Sequence, residues 1–175
     1  QHFREFSRQA EHKLSPMHIN SAVDRSFILL TEQLRLHNIS IQKNLCEENP
    51  MILGDTNRLE QVFINLLTNA RDAFDGLGMS EKRIAVSKKL EETSNIIEFK
   101  DNGCGIPDEK IEKIFNPFYT TKEVGKGTGL GLSISHGIIT EHQGQIFCNS
   151  EPGKGTTFKI ILKKYDENTD HTKVA

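Results

Sequence analysis

The segment from Leu59 to Phe74 constrains this chain more than any other. Leu59, Val62, Phe63, Leu66, Leu67, Ala70 and Phe74 recur at three- and four-residue intervals, the spacing of one face of an α-helix. Asp55 precedes the stripe as an N-cap, and Gly76 and Gly78 follow it as terminators. A stripe this wide and this apolar has to be buried. The rest of the chain must supply the surface that covers it.

The remaining pattern supplies a sheet and more helices. A helix is predicted from Asn20, as N-cap, to Leu36, with Val23, Phe27, Leu30 and Leu34 on one face. Ile39-Ser40-Ile41 reads as a short strand. Ile84–Leu90 and Asn95–Lys100 read as a hairpin joined by Glu91-Glu92-Thr93-Ser94. A short helix is predicted over Asp108–Ile114. Another runs from Leu130 to His142 and is closed by Gly144. Gln145–Asn149 and Thr157–Lys163 read as strands around Glu151-Pro152-Gly153-Lys154-Gly155. This order predicts an α+β, two-layer sandwich, with helices packed on one face of a mixed, mostly antiparallel sheet. An apolar share of 35%, with 10 Phe and no Trp, is enough for one such core.

The two ends read differently. Residues 1–16 carry a thin stripe of Phe3, Phe6 and Ala10, broken at Ser15-Pro16. They are expected to be the end of a longer dimerisation helix that packs on something else. Residues 17–164 form the expected folded domain, and 165–175 a polar, disordered tail.

Several function classes drop out. Lys and Arg total 22 against 24 Asp and Glu, a net charge of −2, which argues against nucleic-acid binding. No apolar run has membrane-spanning length and no signal peptide opens the chain. A cytoplasmic domain is expected, whether or not its parent is membrane-tethered. Cys46, Cys104 and Cys148 are far apart, so neither a disulfide frame nor a zinc site is expected.

Four segments carry chemistry. Asn65 and Asn69 lie four apart on the long helix, and Asp72 falls in the same stripe, beside the apolar face. An amide oxygen there suits Mg²⁺, which keeps several waters and takes phosphate oxygens. Asp101-Asn102-Gly103-Cys104-Gly105 turns sharply off a strand. Its glycines let a planar ligand approach, and its carboxylate can accept from an exocyclic amine such as adenine N6. Lys126-Gly127-Thr128-Gly129-Leu130-Gly131 opens a helix, where free amides and the helix dipole favour phosphate. Gly153 and Gly155 flank a hairpin turn. Taken singly, each also reads as ordinary structure: a solvated helix face, a D-N-G turn, a glycine loop, a hairpin.

Together and in this order they resemble the ATP-binding fold shared by gyrase, the heat-shock chaperone of that class, histidine kinases and mismatch-repair ATPases. Asn65-Leu66-Leu67-Thr68-Asn69-Ala70 is similar to the N box, and Asp101-x-Gly103-x-Gly105 to the first glycine box. Phe115-Asn116-Pro117-Phe118-Tyr119-Thr120-Thr121-Lys122 is similar to the F box. Gly127-Thr128-Gly129-Leu130-Gly131-Leu132 is similar to the second glycine box, and Gly153-x-Gly155-Thr156-Thr157-Phe158 to the last glycine segment. The likeness spans about residues 20–163. The F box is most like that of two-component sensor kinases of the nitrogen-regulator type.

The resemblance implies a Bergerat-type sandwich that binds ATP and Mg²⁺ and passes the γ-phosphoryl to a histidine. It implies that Asn69 holds the metal, with Asn65 assisting near the phosphates and Asp72 close by. Asp101 reads adenine, in a pocket shaped by Gly103, Gly105 and Ile106, and Thr156 or Thr157 backs Asp101. Tyr119 to Lys126 form a lid, with Phe118 leading into it and Thr120, Thr121, Lys122 and Lys126 near the nucleotide. Gly127, Thr128, Gly129, Leu130 and Gly131 cradle the phosphates. Asn65, Asn69 and Lys122 form the implied catalytic group. Many histidine kinases carry a Lys three residues past the second N-box Asn, where this chain has Asp72, and many carry an Arg at the end of the F box, where this chain has Thr120.

No histidine of the chain stands in the family's acceptor motif; His12 is followed by Lys13 and by Pro16 one residue early. The implied acceptor therefore belongs to the parent's own dimerisation domain, and a response regulator is the onward partner. The fragment is expected to be monomeric and the parent a homodimer. Two other readings stand beside this one. A hydrolysing ATPase of the same superfamily wants a Glu where this chain has Asn65, which is no base at neutral pH. A non-catalytic nucleotide-binding module is separated by ATP affinity with and without Mg²⁺.

Overall fold

The computed structural model describes residues 14–122 and 127–166. The expected helical arm, apart from its last residues, and the expected tail, apart from its first two, lie outside them.

The element order is β1 (Ser15–His18), α1 (Ile19–Leu36), β2 (Ile39–Leu45), β3 (Met51–Gly54), α2 (Thr56–Asp72), β4 (Lys82–Leu90) and β5 (Ser94–Asp101). Then follow α3 (Asp108–Ile111), α4 (Gly131–Glu141), β6 (Gln145–Glu151) and β7 (Gly155–Lys163). The main sheet has the order β2-β4-β5-β7-β6. Only β2–β4 is parallel; the other pairs are antiparallel. With α1, α2 and α4 in a layer over it, this is the expected sandwich.

The long helix forms as its sequence predicts. Asp55 accepts from the amides of Asn57 at 2.9 Å and Arg58 at 3.2 Å, capping α2. Leu59, Val62, Phe63, Leu66, Leu67 and Ala70 are buried, and Phe63 stacks on Phe99 of β5 with centroids 5.3 Å apart. Each of the larger of these side chains contributes about 1.5–3 kcal/mol of burial.

Three local expectations are corrected. Helix α1 starts two residues earlier, with His18 in place of Asn20 as its N-cap and no side-chain cap bond. Asn20 is inside the helix because Ile19 is drawn into the core, at 0% exposure. The strand at Ile39 runs on to Leu45, since β4 supplies a parallel ladder through Lys88. Ser15–His18 and Met51–Gly54 pair antiparallel as a small second sheet. Both are too short to show a period and depend on each other for their hydrogen bonds.

His142 closes this part of the core. At 5% exposure, its Nε2 accepts from the Asp55 amide at 2.9 Å and its Nδ1 meets the Ile138 carbonyl at 2.7 Å. Only the neutral Nδ1–H form satisfies both contacts. Burial pushes its pKa below the ordinary histidine value.

Candidate functional site

The C-terminal half of α2, the turn leaving β5, the segment after α3 and the start of α4 enclose a cleft of about 580 Å³. That volume suits a nucleotide-sized ligand.

Asp101 ends β5 on the core-facing side of the sheet and is 5% exposed. Its Oδ1 accepts from the Gly103 amide at 2.8 Å and from the Thr156 amide at 3.3 Å. Burial raises its pKa, and the two amides oppose the rise. Thr156 comes from β7, whose next residue, Thr157, pairs with Lys100 of β5. Side chains alternate along a strand, so Thr156 lines the cleft and Thr157 does not. Behind them, Ser150 Oγ donates to the Gly155 carbonyl at 2.9 Å. It accepts from the Ile106 amide at 2.7 Å and takes the Thr156 hydroxyl at 2.9 Å.

The turn itself is pressed between two surfaces. A Cβ at Gly103 would lie 2.7 Å from the Ala73 Cβ, and the Cys104 amide donates to the Ala73 carbonyl at 3.0 Å. Gly105 has φ +70° and its α-carbon faces the backbone of Glu151. Gly153 donates to the Cys104 carbonyl at 2.8 Å. The β5 turn is thus clamped between the end of α2 and the β6–β7 hairpin.

Opposite Asp101, α2 presents Asn65, Asn69 and Asp72 to the cleft. Asn65 Nδ2 donates to Ser135 Oγ on α4 at 2.9 Å, and its Oδ1 abuts Gly131. This residue ties the start of α4 to α2. Asp72 Oδ1 accepts from Arg71 Nε at 2.9 Å and Nη2 at 2.7 Å. Its Oδ2 accepts from Lys122 Nζ at 2.5 Å, and Lys122 Nζ also lies 3.4 Å from Asn69 Oδ1. Burial works to raise the Asp72 pKa, but the hydrogen bonds and charges of Lys122 and Arg71 outweigh it and hold the carboxyl below its usual value.

Gly105, Ile106, Thr120, Thr121, Gly127, Thr128, Gly129 and Gly131 also line the cleft. Gly127 sits against the Thr120 hydroxyl and the Lys122 stem, and Gly129 (φ +67°) against the Phe118 backbone. The first-turn amides of α4 have no acceptor within the helix, so the glycine segment brings free N–H groups to the wall. Gly103, Phe118 and Leu130 are not among the lining residues. Phe118 is 76% exposed at φ 65°, and Gly103 acts from behind, by its fit on Ala73. Lys126 lies outside the described residues.

Sequence reasoning missed Ile114, Leu132 and Phe158 as apolar walls and Arg71 as a lining cation, while Tyr119, expected to open the lid, is a further wall. Phe115, which packs edge-on to Phe158 at 6.5 Å, is the anchor that holds this segment down. No period marks these residues; they converge only through the fold.

The donor set fits the group the resemblance implies. A buried carboxylate stands at one end of the cleft for an amine edge. Amide and carboxylate oxygens, backbone amides and a lysine stand at the other for metal and phosphate.

Residues 54–166 match the family model described as "Histidine kinase-, DNA gyrase B-, and HSP90-like ATPase". The chain is 41% identical over 145 residues to sporulation kinase E of Bacillus subtilis (strain 168), covering 83% of this chain and 19% of that protein. It therefore spans about a fifth of that relative's length. Among solved structures, the nucleotide-free catalytic domain of histidine kinase ThkA superposes with a TM-score of 0.75 at 32% identity, covering 87% of this chain and 98% of that one. ThkA in complex with response regulator protein TrrA gives 0.72 at 29%, covering 87% of this chain and 42% of that one. The fold, the cleft and these likenesses agree: the chain belongs to the histidine kinase-, DNA gyrase B- and HSP90-like ATPase family and is an ATP-binding catalytic domain of the histidine-kinase kind.

Proposed function

We propose that the cleft holds ATP with adenine against Asp101 and the phosphates between α2 and the Gly127–Gly131 segment. The γ-phosphoryl passes to a histidine of the parent kinase's dimerisation domain, and from there to a response regulator. The buried, doubly hydrogen-bonded Asp101 carboxylate carries this reading. Its Oδ1 is held by two amides, while no hydrogen bond to Oδ2 is seen among the described residues. An acceptor so placed matches the N6 amine of adenine and rejects the O6 carbonyl of guanine.

The chain's work is positioning. The Ser150–Thr156–Ile106 bonds fix the depth of the adenine end. The glycine amides at the start of α4 and the Lys122 ammonium meet the phosphate charge. Phosphoryl transfer asks for little more than alignment and charge neutralisation. Mg²⁺, when bound with the nucleotide, supplies further neutralisation of the phosphates, and Asn69 is the residue to hold it. Asn65 is committed to Ser135 and offers no base, which favours transfer over hydrolysis. The ThkA–TrrA complex supports a response regulator as the onward partner. The likeness to nitrogen-regulator kinases rests on the Phe115–Lys122 segment. The isolated chain is a monomer, and the parent pairs through its helices.

The test is labelling with γ-³²P-ATP of the parent's helical domain mixed with this chain. Acid-labile, base-stable label on that domain is expected. Inorganic phosphate released without protein label would favour the hydrolysing reading.

A further inference from the structure

The Lys122 ammonium marks a cation position. It lies 2.5 Å from Asp72 Oδ2 and 3.4 Å from Asn69 Oδ1, so one positive charge addresses a carboxylate and a carboxamide oxygen together. The two residues are three apart on α2 and share a face. Asp72 Oδ1 is tied to Arg71, and Arg71 Nη1 is tied in turn to Gln33 Oε1 of α1 at 2.9 Å. The carboxylate is therefore held in place by one oxygen while it offers the other to a cation.

We propose that Asp72, with Asn69, forms the divalent-cation site, and that Lys122 is a built-in occupant that the metal displaces. The proposal deepens the nucleotide reading and rests on it for the phosphates that complete the coordination when ATP is bound; waters complete it in the nucleotide-free chain. Mg²⁺ takes few protein oxygens, one or two carboxylates with phosphates and waters. One carboxylate and one amide meet that need, each directly or through a bound water. Displacement leaves Lys122 free to follow the phosphates, so one exchange places the metal and turns the lysine toward the substrate.

The test uses Mn²⁺ as the probe on the nucleotide-free chain, read as paramagnetic broadening of the backbone amides of Asn69, Asp72 and Ala73. Asp72→Asn should weaken Mn²⁺ at least about tenfold. Lys122→Gln, a change at a part-exposed side chain that leaves the core untouched, should tighten it about fivefold. Broadening unchanged by either substitution, or absent from all three proteins, overturns the proposal. ATP titrations run in parallel keep the two readings apart. A chain that binds Mn²⁺ as expected but no ATP refutes the nucleotide reading while supporting the cation site.

Discussion

The backbone amide of Thr156 lies 3.3 Å from Asp101 Oδ1, so the start of β7 holds the side chain that ends β5. The bond depends on the register that sets Thr157 opposite Lys100. The Asp101 end of the cleft is therefore a product of strand pairing, and residues behind the cleft wall control it. Ser150 is one of them: Ser150→Ala removes a buried hydroxyl that meets three groups. Each buried polar group left over costs about 1–3 kcal/mol. Urea unfolding should show a loss of at least about 1–3 kcal/mol, with weaker ATP binding. A variant with wild-type stability and affinity would show that this network does not set the adenine end.

Asn69→Ala should leave the fold intact, because the side chain borders the cleft and the core face of α2 is made by Leu66, Leu67 and Ala70. The ATP affinity of the variant in Mg²⁺ should fall toward the metal-free value. Calorimetry with and without Mg²⁺ reads this, with circular dichroism as the fold control. An undiminished Mg²⁺ effect would remove Asn69 from the metal site.

Gly105→Ala and Gly76→Ala form a matched pair. Both glycines have positive φ, +70° and +73°, but a Cβ at Gly76 meets nothing within 4 Å while one at Gly105 strikes the Glu151 backbone. Gly76→Ala should cost about 1–2 kcal/mol of backbone strain. Gly105→Ala should cost more, and only it should weaken ATP. Equal losses in denaturant unfolding would show that the clamp on the turn is not tight.

His142 gives the fold a pH dependence. Its folded pKa is depressed by burial, so the unfolded chain binds the proton more readily. Stability is fully present above the ordinary histidine pKa of about 6.5 and is lost as pH falls below it. Unfolding free energies at pH 7.5 and 5.5 should differ more in the natural chain than in His142→Gln. The variant should also be less stable at pH 7.5, by about 1–3 kcal/mol, as the Asp55 amide loses its acceptor. A variant with the same pH slope would contradict the assignment.

The fold was legible where one face of an element repeats. Leu59 to Ala70 announce α2, and the Ile84–Leu90 and Asn95–Lys100 alternation announces the central hairpin. Strands β1 and β3 were not, since four residues each hold too little pattern and exist only as partners. The site was legible as an order of boxes. Its fine assignment stayed open between Thr156 and Thr157, because sequence does not say which of two adjacent threonines faces the cleft; the β7 pleat turns Thr156 toward it. Arg71 carried no signal of its own. Lys122 did, but its bond to Asp72 crosses 50 residues of sequence, and no spacing rule reaches that far.

The most direct measurement is calorimetric titration of the chain and of Asp101→Asn with ATP and GTP. The account predicts that the natural chain binds ATP and discriminates against GTP. Asp101→Asn should lose about 1–3 kcal/mol of ATP affinity, since an amide replaces a charge-assisted acceptor. Equal affinity of the two proteins for ATP, or equal affinity of the natural chain for ATP and GTP, would contradict it.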